Sequence, residues 1–470
     1  MPVLPSVLVV GLVIVVALWA AVLAAGIRTD RLKATTLLSI NMWVVTLVGS
    51  ALSVVRRVDA GGLATTLLMV GTGVVLFLLS VSVVGGRKAG LKGGWILFIT
   101  CGLTALEVYY LLRHPSGTSS SIPEVLALAF LPGFVFQIRN SGASREYLLR
   151  LAARVSTFVV YTSVIIGVIA PTLAYSQGFS DHRRLDIGPI TMRLGGLTPH
   201  PNLLSITALM CIVLVLALKM RGRWLSALVG VAAIGLAESR SAAVTLAVVL
   251  IVVWVCKGRN LLLRSTIALP LSVFLVASSS ALEDSDAAAS LTSDISTNGR
   301  FRVWDLVIQT FTANPLDGWG PLAFQTESGS PFLSAGLLHA HNQVLQGIAE
   351  AGLFGGILTV ALLLALVWIG LRHMREPVYP AMVVVFLLSV PTEPFLTLHL
   401  YGLNYAVLPA FIMLAVMMSA DAQSDDPAPD PVVEGVESRK LPGAWEASDS
   451  RHLLGLGKLR EDANNRTSAT

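Results

Sequence analysis

The chain alternates between long apolar runs and short polar connections up to about position 420. Runs of roughly 15–25 apolar residues suit helices that cross a bilayer at about 1.5 Å rise per residue. They fall near 6–26, 34–55, 63–84, 94–112, 123–138, 156–176, 201–220, 224–238, 241–256, 265–282, 343–371, 378–398 and 402–419. The pattern predicts an all-α polytopic membrane protein over 1–420, with about thirteen spans and a range of 12–14 transmembrane helices. The first run has no basic segment ahead of it and is long enough to span, so it reads as a true helix and not a cleaved signal. At "AESRS" (237–241) two short runs meet with almost no loop. From 421 to 470 the pattern stops. "DAQSDDPAPDPVVEGVESRK" is acidic and proline-bearing and "EDANNRTSAT" is polar, so a disordered tail is expected there.

Composition agrees with the pattern. Of 470 residues, 54% are hydrophobic and 13% charged, where soluble chains carry roughly a quarter charged. The formal charge of +5 calls for no nucleic acid, because Lys and Arg cluster at the ends of runs. They do so unequally. One set of alternate connections holds about eighteen, including Arg28, Arg87, Arg139, Lys219, Lys257 and Arg372. The other holds about nine, including Arg56, Arg113, Arg193, Arg240 and Arg300. The positive-inside rule places the richer set in the cytoplasm, with the N-terminus outside and the C-terminus inside. The loops 177–200, 238–241 and 283–342 then share the outer face. The last is long enough to imply a function or structure of its own. Within it, Phe301, Trp304, Val307, Ile308 and Phe311 fall on one helical face before Asn314-Pro315 breaks the run. That predicts an amphipathic helix at the outer membrane surface. Cys101, Cys211 and Cys256 all lie in apolar runs and read as small buried hydrophobes.

Residues with chemistry to offer gather on that outer face. In "LLHAHNQVLQGIAEAGLFG" (337–355), His341 precedes Gly352 by eleven positions and Gly355 by fourteen. On one continuous helix those offsets fall at about 20° and −40°, a single face. An imidazole would stand at the helix mouth with Asn342 beside it, above glycines that let a neighbour approach closely. Arginine suits the multi-point binding of phosphate oxygens. Arg240 sits in "AESRSAAV", Arg300 and Arg302 in "NGRFRVW", and Arg193 in the loop before "TPHPNLLS", where His200 and Asn202 open a helix. Three acids, Glu107, Glu238 and Glu393, lie within or at the ends of spans. Glu393, between prolines in "VPTEPF", is placed to line the same cavity, but no role is assigned to it. "EDSD" (283–286) contains a triplet of the kind that holds a divalent cation. It stands in a Ser/Ala-rich stretch with no His/Asp cluster nearby, so no metal and no cofactor are expected.

Four segments together resemble the O-antigen ligase and polymerase superfamily. They are His341-Asn342, nine residues, then Gly352-x-x-Gly355; "NGRFRVWDLVIQTFTANPLDGWGPLAFQ" (298–325); "TPHPNLLS" (198–205); and "AESRSAAV" (237–244). The resemblance covers roughly 196–360. It implies a GT-C-like membrane glycosyltransferase, inverting and metal-independent, of the bacterial cytoplasmic (inner) membrane. It also implies transfer of a glycan from an undecaprenyl-pyrophosphate-linked oligosaccharide to a glycan or glycolipid acceptor at the outer face. Membrane lipids and other polysaccharide-assembly proteins are the further partners it implies. His341, Arg300 and Arg240 become the catalytic candidates, and Asn342, Arg302, Arg193, His200 and Asn202 the substrate-binding ones. Gly352 and Gly355 become helix-packing residues. The competing reading is a transporter or flippase. Against it stand the missing repeat pair and the placement of polar motifs in loops instead of at the midplane.

Overall fold

The computed structural model describes residues 34–57, 94–113, 130–175, 193–256, 271–272, 297–313, 315–320, 323–324, 331–334, 339–394 and 407–420. These lie in a compact unit, Met1–Asp425, distinct from Asp426–Thr470. The expected spans 6–26 and 63–84 and the expected tail 421–470 lie outside the described residues, as does all of 265–282 except 271–272. The described residues are helical, without a strand: α1 Ala34–Arg57, α2 Gly94–Arg113, α3 Phe130–Asn140, α4 Arg145–Ile169, α5 Pro171–Ala174, α6 Pro201–Ala217, α7 Arg223–Leu236, α8 Arg240–Cys256, α9 Thr297–Ala313, α10 Pro331–Ser334, α11 Gln343–Arg372, α12 Val378–Ser389 and α13 Val407–Ser419. Two of them, α4 and α11, are long and apolar enough to cross a membrane, and seven more are shorter apolar helices.

Helix α6 is the axis of the bundle. Every residue from Pro201 to Val215 is buried, as a helix apolar on all sides requires. It packs against α4, α7, α8, α12 and α13. Its hydroxyls bond back along the helix, Ser205 Oγ to Pro201 O at 3.1 Å and Thr207 Oγ1 to Leu203 O at 2.8 Å. No polar hydrogen there is left for lipid or core. Gly230 of α7 lies against Ile212, where an added Cβ would stand 2.7 Å from Cγ1. A small residue at this crossing lets the two helices approach closely. Outward faces carry exposed Trp224, Leu228, Leu250, Leu364 and Trp368, side chains suited to acyl chains and not to water.

Two boundaries and one helical face differ from the apolar pattern. Helix α4 begins at Arg145, eleven residues before the expected span at 156, because Ser144 Oγ caps it by accepting from Tyr147 N at 3.2 Å. Arg145, Arg150 and Arg154 are therefore helical. Arg145 pairs with Glu376, and Arg150 with Glu146 one turn away. Helix α12 stops at Ser389 instead of running to 398, and Glu393 lies beyond its end. In α9 the buried residues are Val303 and Val307, while Phe301 and Ile308 are exposed at 55% and 49%. The face is rotated because α9 packs against α11. It shares a small core there with Phe324, Phe332, Ala340, Ala349 and Trp319.

The largest correction concerns α11, which is not one rod. Ala351 (φ −131°, ψ 24°) and Gly352 (φ 58°, ψ −152°) leave helical geometry. The two halves then double back. A Cβ on Gly347 would stand 2.5 Å from Thr359 Oγ1, one on Gly355 2.3 Å from the Gly347 carbonyl oxygen, and one on Gly356 2.6 Å from Ile348 Cγ1. Residues eight apart on a straight helix are about 12 Å apart, so these contacts require a reversal. His341, at φ 51°, precedes the helix altogether. The single-face arithmetic for His341, Gly352 and Gly355 therefore does not hold. The glycines do serve close approach, but to the first half of α11 and to the loop before it. The part of α11 from Leu353 to Arg372 is still about 30 Å long, enough for a bilayer core.

Candidate functional site

One end of the bundle collects the polar residues, and local chain geometry brings them there. Beyond α4 the chain runs through α5 to Tyr175, which forms an antiparallel bridge with Leu194. Gly195 N and Gly196 N donate to Ala174 O at 3.0 and 2.9 Å, and Leu194 N donates to Leu236 O at 2.9 Å. Residues 193–200 are thus stapled across the ends of α4 and α7. Gly196 must be glycine on two counts: φ is +58°, and a Cβ would stand 2.1 Å from that of Ser163.

Arg193 is held by this loop. Its Nε donates to Ala237 O at 2.9 Å, and its Nη2 donates to Asn202 Oδ1 at 2.9 Å and reaches Glu238 O at 3.5 Å. Ala237 and Glu238 form the tight turn between α7 and α8, with Glu238 left-handed at φ 50°. Arg240 opens α8 immediately after, half buried. An arginine at a helix N-terminus adds to the positive end of the dipole, an arrangement suited to an anion.

His200 caps α6. Its Nδ1 accepts from Asn202 N at 3.2 Å, which leaves the proton on Nε2. Burial drives its pKa down to about 4, against the pull of Glu393 and with Arg193, His341 and Arg300 acting in the same direction as burial. The 4.0 Å approach of His200 Nδ1 to Glu393 Oε1 therefore joins two acceptors and is no ion pair near neutral pH. The hydrogen bond to Glu393 Oε1 comes instead from Asn202 Nδ2.

His339 repeats the arrangement. Its Nδ1 accepts from His341 N at 3.2 Å. Burial lowers its pKa well below the usual value, with His341 acting in the same direction and Glu393 opposing. The His339 and His341 rings lie 3.7 Å apart between centroids, and the His200 ring meets His339 edge-on at 6.3 Å. His341 Nδ1 is 3.9 Å from Glu393 Oε1. It is buried and has no hydrogen-bond partner among the described residues. Asn342 is the N-cap of α11, its Oδ1 accepting from Val344 N at 2.9 Å and Leu345 N at 3.2 Å.

The expected residues thus divide. His200, Asn202, Arg193 and His341 meet around Glu393, and the charge of Arg300 reaches both His200 and His339. Asn342 is taken up by capping. Arg302, two positions after Arg300 and about 200° round the helix, is exposed and does not face this group. Gly352 and Gly355 shape α11 beneath it. Two buried residues had no assigned part in the sequence reading, Glu393 and Glu350. The signal for each is an acid inside an apolar run. Donor atoms of His339, His341 and Glu393 lie within 4.8 Å of one another, close enough for a cation to gather them. His339 would have to use Nε2, because its Nδ1 already accepts the His341 amide.

An apolar helical bundle, two of its described helices long and apolar enough to cross a membrane, with a histidine–carboxylate cluster at one end, is the class this arrangement defines. The O-antigen ligase family model matches residues 206–360. Over that stretch, about a third of its length, the chain is similar to the O-antigen ligase family. The match contains Arg240, Arg300 and His341, while Arg193, His200, Asn202 and Glu393 lie outside it. No curated protein matches the chain.

Proposed function

We propose that the protein transfers a glycan from a polyprenyl-pyrophosphate-linked donor to an acceptor hydroxyl at the outer face of the bacterial cytoplasmic membrane, as a ligase or polymerase of surface polysaccharide. The observation that carries this reading is the buried meeting of His341 with Glu393, within reach of the Arg300 charge, inside a chain that matches the O-antigen ligase family. The acceptor oxygen attacks the anomeric carbon and the bond to the pyrophosphate oxygen breaks with inversion. The polyprenyl pyrophosphate leaves with the bonding electrons. Arg300 and Arg240 supply positive charge where negative charge grows on the leaving group, and no metal is required. His341 holds or deprotonates the acceptor hydroxyl. With Glu393 on its Nδ1 side, Nε2 is the nitrogen presented to substrate. Arg193, His200 and Asn202 form the adjoining wall.

The test is transfer in vitro from the lipid-linked donor, with His341→Ala, Arg240→Ala and Arg300→Ala each compared with wild type. Full activity in all three removes the site assignment. Ion-coupled uptake into proteoliposomes with no transfer product would favour the transporter reading instead.

A further inference from the structure

His341 sits in the left-handed region at φ 51°, where a non-glycine residue stays only when its surroundings hold it. The hold lies one residue upstream. The buried Ala340 is gripped at both poles of its backbone. Its N–H donates to Gln346 Oε1 at 2.7 Å, and its carbonyl accepts from Trp304 Nε1 at 3.1 Å. Gln346 is itself fully buried. A glutamine amide can present either its oxygen or its NH2 to a given neighbour. Reversed, Gln346 would set a donor against the Ala340 donor, and the grip would be lost. Glu350, one turn further along, prevents the reversal. Its Oε1 accepts from Gln346 Nε2, and an acceptor there commits the amide oxygen to Ala340. Glu350 is 2% exposed, and its own backbone is fixed by Gly320 N donating to its carbonyl at 2.9 Å.

We infer that Glu350 is a positioning residue for the transfer reaction: through Gln346 it fixes the Ala340 peptide and so the place of His341. The inference rests on the reading of His341 given above. Glu350 touches no substrate in this arrangement. What it supplies is a buried acceptor, and a neutral one of the same shape will serve.

The experiment measures kcat and acceptor KM for the purified full-length protein with the lipid-linked donor. Glu350→Leu removes the acceptor and lowers kcat roughly tenfold or more, the scale of a lost buried hydrogen bond, with KM changed less. Glu350→Gln keeps an amide oxygen for Gln346 Nε2 and retains kcat within about threefold. If Glu350→Leu fails to fold, the swap Gln346→Glu with Glu350→Gln serves in its place. It keeps one carboxylate and one amide in the same two positions and recovers the kcat lost in Gln346→Glu alone. Three results overturn the inference: full activity in Glu350→Leu, equal loss in Glu350→Leu and Glu350→Gln, or a swap no better than Gln346→Glu. A wild-type protein without transfer activity removes the functional reading, a fully active His341→Ala removes only the role of His341, and this inference falls with either.

Discussion

At the scale of single residues, the site depends on which groups are charged. His200 and His339 are buried neutral, each accepting a backbone N–H at Nδ1. For His200 the folded pKa of about 4 lies below the ordinary 6.5. Between those values the unfolded chain takes up a proton that the fold refuses, so stability is full above about pH 6.5 and falls as pH drops toward 4. Thermal unfolding in detergent across that window is expected to show the decline. His200→Asn, which still caps α6, is expected to flatten it. A slope unchanged by the substitution would assign the acid sensitivity elsewhere. The arginines give a second prediction. Arg300 acts on the histidines and Arg302 does not, so Arg300→Ala is expected to lower kcat/KM roughly a hundredfold or more, on the scale of a lost electrostatic donor. Arg302→Ala is expected to stay within about threefold, and equal losses would remove the distinction. His341 and Asn202 stood out in the sequence as polar residues at the mouth of an apolar run, and Arg193 and Arg300 as arginines in the loops beside those mouths. Glu393 was legible only as an acid between prolines. Its bond to Asn202 joins positions 191 apart, and no local pattern encodes such a contact.

At the scale of elements, the reversal within α11 is the feature the apolar pattern concealed. Apolar residues continue on both sides of Ala351–Gly352 with no proline, and Glu350 is the one charged residue near the break, so the run reads as one helix. Long-range contact forces the turn. Leu353 N donates to Pro315 O at 3.0 Å and Trp319 N donates to Ala349 O at 2.9 Å, satisfying one N–H and one carbonyl that the broken helix leaves open. Tyr110 Oη adds a bond to Leu316 O at 2.5 Å. Gly352→Ala would place a Cβ 2.6 Å from Leu316 O at a φ of +58°. It is expected to cost at least about 1–3 kcal/mol, read as a lowered unfolding midpoint together with lost transfer. Gly235, with no atom within 4 Å of an added Cβ, is the control: Gly235→Ala is expected to leave both unchanged. A tolerated Gly352→Ala would mean that the two halves of α11 do not fold back as described.

At the scale of the whole molecule, the helical class, the crowding of polar segments at one end and the likeness to the O-antigen ligase family were legible, because hydropathy and motif order carry them. Helix starts and stops were less so. The start of α6 after His200 was as expected, but Ser144 starts α4 eleven residues early and leaves little trace in hydropathy. Orientation rests on the Lys/Arg count and is open to direct measurement. In a cysteine-free background, Thr312→Cys is expected to react with an impermeant thiol reagent from outside the cell, and Arg221→Cys is expected not to. The opposite result would invert the topology. Transfer is also expected to survive exhaustive chelation, since arginines supply the counter-charge. Loss on chelation, restored by a divalent ion, would instead assign His339, His341 and Glu393 to that ion.

The bond between Asn202 and Glu393 also bears on how the protein is made. A ribosome delivers the chain from its N-terminus, and Asn202 is complete 191 residues before the carboxylate that binds it. Arg193 and His200 wait as long for that acid, His339 and His341 only briefly, and the cluster closes only after α12 has been laid down. A nascent or prematurely terminated chain would thus hold the cations and lack the group that organises them. The cluster would be complete only near the end of synthesis, when all the described helices around it but α13 are already made.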